Sequence, residues 1–224
     1  MTIRSLTATT VDWEHPHDPK QGQDYVNLLA ALRKALPHGR YLLTSALPCG
    51  EFALANINLS HASQILDYIN LMCYDFAGPW TKLCGNQAQL WSPNPAYDDT
   101  AKVSCDRAVG YLLARNVPAQ KIIIGIPAYG RSFLGAKKPG DSYKGGAGEE
   151  GTFEYRDLPR PGAKVAFDTR CGATSCLGGD AGFVSYDDPK SVQEKAKFVK
   201  QKGLGGLFYW VSIHWPRASK GLSS

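Results

Sequence analysis

Short apolar runs alternate with helix-period segments along most of this chain, and that alternation limits the fold more than any other feature. The runs are Thr9–Glu14, Tyr41–Ala46, Tyr68–Tyr74, Lys121–Pro127 and Gly206–Trp210. Tyr68–Tyr74 is almost wholly apolar, as a strand covered on both faces should be. Between the runs lie an amphipathic helix over about Gln23–Ala35, with Tyr25, Leu28, Leu29 and Leu32 on one face, and a loop with a short helix over 51–67. Further helices are expected over about Thr100–Arg115 and Ser191–Lys202. Such alternation predicts an α/β fold on a parallel sheet, because a parallel pair needs a crossover long enough to hold a helix. Residues 131–188 break the pattern; they are rich in Gly and Pro with short β-like pieces, which reads as an inserted subdomain. The pattern supplies five β/α units, whereas a (β/α)8 barrel has eight and usually about 250 residues.

The chain has 224 residues and a net charge of +5, and its basic residues are scattered. Lys195, Lys197, Lys200 and Lys202 are expected on the solvated face of the Ser191–Lys202 helix. No basic stripe interleaves with aromatics, so nucleic acid is not an expected partner. No stretch approaches the roughly 18 apolar residues of a membrane-spanning helix, and a membrane is not an expected partner either. The first residues, MTIRSLTATT, lack the apolar core of a signal peptide. Aromatics reach 11%, with 11 Tyr and 5 Trp. That share suits a carbohydrate binder, because sugar rings stack their apolar faces on flat side chains. The six cysteines form no CxxC pair and stand beside no His cluster, so a metal site is not expected. Cys171 and Cys176 bracket the loop GATS and are candidates for a small disulfide ring, while Cys73 reads as a buried thiol in an apolar strand.

The sharpest motif is Val-Asp-Trp-Glu-His-Pro at 11–16. Strand side chains alternate with period two, so Asp12 and Glu14 share one side and Trp13 takes the other. Two carboxylates at a strand end resist ionising together, which leaves one of them holding a proton near neutral pH. A protonated carboxylic acid is what a departing glycosidic oxygen requires. Taken alone, DxE reads equally as two surface acids. Three more motifs follow in order: Leu-Met-Cys-Tyr-Asp-Phe-Ala-Gly at 71–78, Gly-Ile-Pro-Ala-Tyr-Gly-Arg-Ser-Phe at 125–133, and Gly-Gly-Leu-Phe-Tyr-Trp at 205–210. Gly-Phe-Val-Ser-Tyr-Asp-Asp-Pro at 182–189 precedes the last of them.

With these motifs, from about residue 11 to 210, the chain resembles glycoside hydrolase family 18, and most closely its chitinases with a small α+β insertion. The resemblance implies a partial TIM (β/α)8 barrel, strands four to eight, with that insertion between strands seven and eight. Barrel units four to seven would occupy 1–130, the insertion 131–188, and the last helix and strand eight 189–224. The implied activity is hydrolysis of β-1,4-linked N-acetylglucosamine polymers, retaining and substrate-assisted, with chitin or chitooligosaccharides as partner, no cofactor and an extracellular location. Glu14 would be the general acid and then base, Asp12 would hold the acetamido N–H, and Tyr74 would hydrogen-bond the acetamido carbonyl. Asp75 would bind sugar hydroxyls, Trp210 would form an apolar floor, Tyr129 and Arg131 would line the groove, and Met72 would pack near the acetamido pocket. Each has a plainer reading: Met72 as core, Trp210 as a plug, Arg131 as an ion-pair partner, Asp75 as a turn cap. Trp80, Trp91 and Tyr97 are candidates for stacking on more distant sugars. A lectin-like relative without turnover and an inactive truncated fragment are the alternatives.

The chain also departs from the family pattern DxxDxDxE. Thr7 and Thr10 stand where the first two carboxylates belong, so Asp12 lacks the neighbour with which it would share a proton. Nothing corresponds to strands one to three, which leads to the expectation of a truncated product, poorly soluble and of little activity. Val211–Trp215 lacks an acidic residue, and His214 reads as a surface residue.

Overall fold

The computed structural model describes residues 8–210. Strand β1 (Ala8–Val11) leads through helix α1 (Pro19–Ala35) to β2 (Leu42–Pro48). Short helices α2 (Glu51–Leu54) and α3 (Leu59–Ile65) precede β3 (Tyr68–Met72), and α4 (Cys105–Leu113) precedes β4 (Ile122–Pro127). Strands β5 (Tyr129–Phe133), β6 (Thr152–Glu154), β7 (Lys164–Asp168), β8 (Ala173–Leu177) and β9 (Phe183–Tyr186) follow, then α5 (Pro189–Lys202) and β10 (Gly206–Trp210). One sheet is parallel throughout, in the order β1-β2-β3-β4-β10. The other is antiparallel, in the order β6-β5-β9-β8-β7. The second sheet therefore arises wholly between β4 and α5. Among the described residues, β1 and β10 each pair on one side only.

Local chemistry explains the helix ends. Asp18 caps α1 by accepting from the Gln21 N–H, and Pro19 opens the helix with a preset φ. Asp188 caps α5 in a reciprocal box with Ser191, and Gly203 ends that helix at φ 64°, a left-handed conformation that glycine adopts without steric cost. Each helix buries one stripe against one face of the parallel sheet. Tyr25 and Leu29 of α1, Leu112 of α4 and Phe198 of α5 join Leu43, Leu47, Ile69, Leu71, Ile122 and Ile124 of the strands in one core. Tyr25 also donates a hydrogen bond to Ser45 Oγ at 2.7 Å, and Ser45 donates to the Val11 carbonyl at 2.7 Å. That relay ties α1 and β2 to the last residue of β1, and so fixes where the following Asp-Trp-Glu segment starts.

Several expectations are corrected. The strands stop earlier than the apolar runs: β1 ends at Val11, before Asp12 and Glu14, and β3 ends at Met72, before Tyr74. Strand β3 is covered on one face only. Ile69 and Leu71 are buried, whereas Tyr68 is exposed and Asn70 and Met72 are half-buried. Leu28 is exposed because the buried stripe of α1 runs through Tyr25, Val26 and Leu29. Cys171 and Cys176 are not bonded; Cys171 accepts backbone hydrogen bonds from Leu90 and Trp91, while Cys176 packs with Ala181, Val184 and Tyr186. Thr7, His214 and the rest of Val211–Trp215 lie outside the described residues.

The clearest correction is Lys195. Its expected solvated position is in fact 0% exposed, and its ammonium donates to Asp187 Oδ2 at 2.5 Å. Asp187 is itself buried and accepts from Ser191 Oγ at 2.7 Å. Burial would pull the ammonium pKa down, but the Asp187 carboxylate outweighs it and holds the lysine above its ordinary range. A charge buried here survives because it is paired, and breaking the pair strands it. Asp187→Ala should cost about 3–5 kcal/mol in urea unfolding, while the joint change Lys195→Met with Asp187→Leu should be near neutral. A loss below about 1 kcal/mol for Asp187→Ala would contradict this account.

Candidate active site

Parallel pairing sets the carboxyl ends of the five strands side by side, and there an open cavity of about 720 Å³ is found. Asp12, Glu14, Met72, Tyr74, Asp75 and Trp210 all line it. The segment after β1 keeps the alternation of a strand without a ladder partner: Trp13 packs against the core, and Asp12 and Glu14 are exposed toward the cavity. Thr10 lines the same cavity and shares a 2.8 Å hydrogen bond with Thr44. A neutral hydroxyl pair thus occupies the place next to Asp12. Met72 follows the cavity-facing alternation of β3 and is not part of the core.

Tyr74 is buried, with its ring edge-on to Tyr129 at 6.3 Å and to Phe208 at 6.4 Å. Burial, and then the charges of Asp75, Asp12 and Glu14, push its phenol well above the ordinary range. It therefore stays a hydrogen-bond donor aimed into an acidic groove. Gly125 makes room for that ring: a Cβ there would stand 2.6 Å from the Tyr74 ring and 2.8 Å from the Phe208 ring.

Asp75 is the junction between the two sheets. Its backbone takes φ 62°, a left-handed conformation that Asp tolerates better than most residues. Its Oδ1 accepts from Tyr129 Oη at 2.7 Å and from Arg131 Nε at 2.6 Å. Burial alone would lower the Arg131 pKa, but Asp75 outweighs it and raises it. Burial first, and then the charge of Asp75, raise the Tyr129 phenol as well. The guanidinium lies over the Trp80 ring at 4.6 Å. Tyr129 and Arg131, on β5, therefore brace two residues of the cavity lining, Asp75 and Trp80, from the antiparallel sheet. Of the three loop aromatics, Trp80 lines the cavity. Trp91 packs on the core, and Tyr97 lies against Gly85 and Gly140.

The structure adds Phe52, Asn70 and Phe208 to the lining. Phe52 sits on the rim beside His15, with ring centroids 5.5 Å apart. One signal for it was available: Gly50-x-Phe52 parallels Gly78-x-Trp80, and in each case the ring folds back over the glycine, where a Cβ would clash at 2.3 Å and 2.5 Å. Asn70 and Phe208 follow only from the period-two alternation of β3 and β10.

The fold and groove define an α/β protein with paired carboxylates and aromatic walls at the ends of its parallel strands. Residues 10–212 match the glycosyl hydrolases family 18, and the chain belongs to that family. It is 35% identical to Chitinase 1 of Aphanocladium album over 226 residues, covering 96% of this chain and 53% of that protein. Among solved structures, a chitinase from Trichuris suis superposes with a TM-score of 0.81 at 26% identity, over 90% of this chain and 60% of the other. A Cycas revoluta chitinase solved in complex with (GlcNAc)3 gives a TM-score of 0.77 at 26% identity, over 90% and 62%. The chain thus spans about half to two thirds of the length of these relatives.

Gly125→Ala tests the packing of the site. The added methyl must displace Tyr74 or Phe208, an overpacking that costs about 1–3 kcal/mol. A melting temperature unchanged from wild type would mean that Tyr74 is not held as described.

Proposed function

We propose that this chain carries the catalytic face of a glycosidase that hydrolyses β-1,4-linked N-acetylglucosamine polymers, by a retaining mechanism in which the substrate's own acetamido group is the nucleophile. One observation carries the reading: Asp12 and Glu14 line one cavity together with Met72, Tyr74, Asp75 and Trp210, while Trp13 between them turns to the core. The (GlcNAc)3 complex of the Cycas revoluta relative supports chitooligosaccharide as the ligand class. The parallel sheet is read as strands four to eight of a (β/α)8 barrel, with the antiparallel sheet as the insertion between seven and eight. The domain division at 130 and 188 goes with that reading.

In this mechanism Glu14 gives its proton to the glycosidic oxygen as the C1–O bond breaks. The acetamido carbonyl oxygen attacks C1 from the opposite face and forms a cyclic oxazolinium ion, so no second enzyme carboxylate is needed as nucleophile. Asp12 accepts from the acetamido N–H and holds the group beneath C1. Tyr74, kept protonated by its surroundings, donates to the acetamido oxygen. Glu14, now ionised, takes a proton from water as that water opens the ring, and the product keeps its configuration. Trp210 offers an apolar floor to the distorted sugar, and Asp75 offers a hydroxyl contact from its braced position. Thr10 leaves Asp12 without an acidic partner on its β1 side, so Asp12 stays turned toward Glu14 and the acetamido group through the cycle.

Glu14→Gln should reduce hydrolysis of N-acetylglucosamine oligomers by roughly 10²–10⁴-fold, the ordinary worth of a general acid. Oligomer binding, measured by calorimetry, should persist. Turnover near wild type in that variant would overturn the assignment.

A further inference from the structure

Three cysteines that the proposed chemistry leaves unused meet directly behind the cavity wall. The register of β2 and β3 pairs Pro48 with Met72, so one step further Cys49 stands opposite Cys73. Neighbouring strands lie about 4.7–4.9 Å apart, inside the roughly 4.4–6.8 Å between Cα atoms that a disulfide spans. Paired residues of parallel strands point the same way, and the Cys49 thiol donates to Cys73 Sγ at 3.1 Å. Cys105, the first residue of α4, belongs to the same buried core. All three are buried in the core, and Cys49, at 5% exposed, is the one of them that also forms part of the cavity lining. The buried Lys195 ammonium acts on all three sulfurs. Burial pushes each thiol pKa up, and Lys195 opposes that push by favouring the thiolate.

We propose that Cys49 and Cys73 form a redox-active pair, which a small disulfide of the glutathione type oxidises through the cavity to a cystine joining the ends of β2 and β3. The Cys49 thiolate attacks one sulfur of the small disulfide, whose S–S bond breaks and releases one small thiol. A mixed disulfide now stands on Cys49. Cys73 loses its proton and attacks Cys49 Sγ, and the second small thiol leaves. Two S–H bonds are exchanged for one S–S bond, and the small disulfide takes up the two electrons and two protons. Cys49 is the entry point because it lines the cavity, and Cys73 resolves the adduct because its sulfur is the near neighbour. Cys105 remains a thiol. Pro48, Gly50, Met72 and Tyr74, which flank the two cysteines, all line the cavity. The cross-link therefore fixes the spacing of two of its walls.

The test uses the folded chain and glutathione disulfide, followed by alkylation, intact mass and peptide mapping. Before alkylation the protein should become lighter by about 2 Da, the two hydrogens lost. Four of the six thiols should then remain open to alkylation after unfolding. The cross-linked peptides should contain Cys49 and Cys73, dithiothreitol should reverse the change, and the oxidised form should melt at a higher temperature. Cys73→Ala should trap the glutathione adduct on Cys49, and Cys49→Ala should keep all its remaining thiols. Wild-type protein that retains six thiols, a bond between any other pair, a lower melting temperature on oxidation, or equal oxidation of Cys49→Ala would each overturn the proposal.

Discussion

The parallel hydrogen-bond register is the constraint on which the rest of the structure depends. Val11 pairs with Ser45, Pro48 with Met72, Leu71 with Ile124, and Pro127 with Trp210. These pairings bring residues far apart in sequence to neighbouring strand ends. A slip of one residue would turn every side chain to the opposite face. Met72 would then enter the core and Leu71 the cavity. The core of Leu43, Leu47, Ile69, Leu71 and Ile124 opposes such a slip, because it would expose that whole apolar set. The position of the acidic residues is thus secured by hydrophobic burial one residue away.

Charge in this molecule is placed where geometry can satisfy it. Lys195 is tolerated in the core because Asp187 faces it. Arg131 is held by Asp75 across the junction of the two sheets, and its guanidinium covers Trp80. The antiparallel sheet therefore does more than decorate the parallel one. Through Tyr129 and Arg131 it restrains the residue that follows Tyr74. Losing that brace would free Asp75 from a left-handed backbone conformation that few residues hold willingly.

Much of this was legible in the sequence, since period-two alternation and the helix-length crossovers depend on local residue pattern. The pairing of Asp12 with Glu14 across Trp13 survived even though β1 stops at Val11, because extended backbone alternates with or without a ladder. What pattern could not reveal was tertiary. Lys195 looked solvated because nothing local announces Asp187, eight residues before it, as a buried partner. The Cys171–Cys176 spacing suggested a ring, yet both thiols are free and Cys176 packs with Ala181, Val184 and Tyr186. Arg131 ion-pairs with Asp75, Trp91 packs on the core, and Tyr97 lies against Gly85 and Gly140, contacts that no local pattern announces. Phe52 was missed because the run it occupies carries no strand or helix period strong enough to aim it.

The central claim is that the acetamido oxygen, oriented by Asp12 and Tyr74, attacks C1 and that Glu14 serves both proton transfers. The configuration of the product tests this most directly. Proton NMR of a chitooligosaccharide in the first moments of hydrolysis should show the β anomer appearing first and the α anomer only by later mutarotation. The same substrate without its N-acetyl groups should remain uncleaved. An α anomer formed first, or equal cleavage of the deacetylated oligomer, would contradict the account.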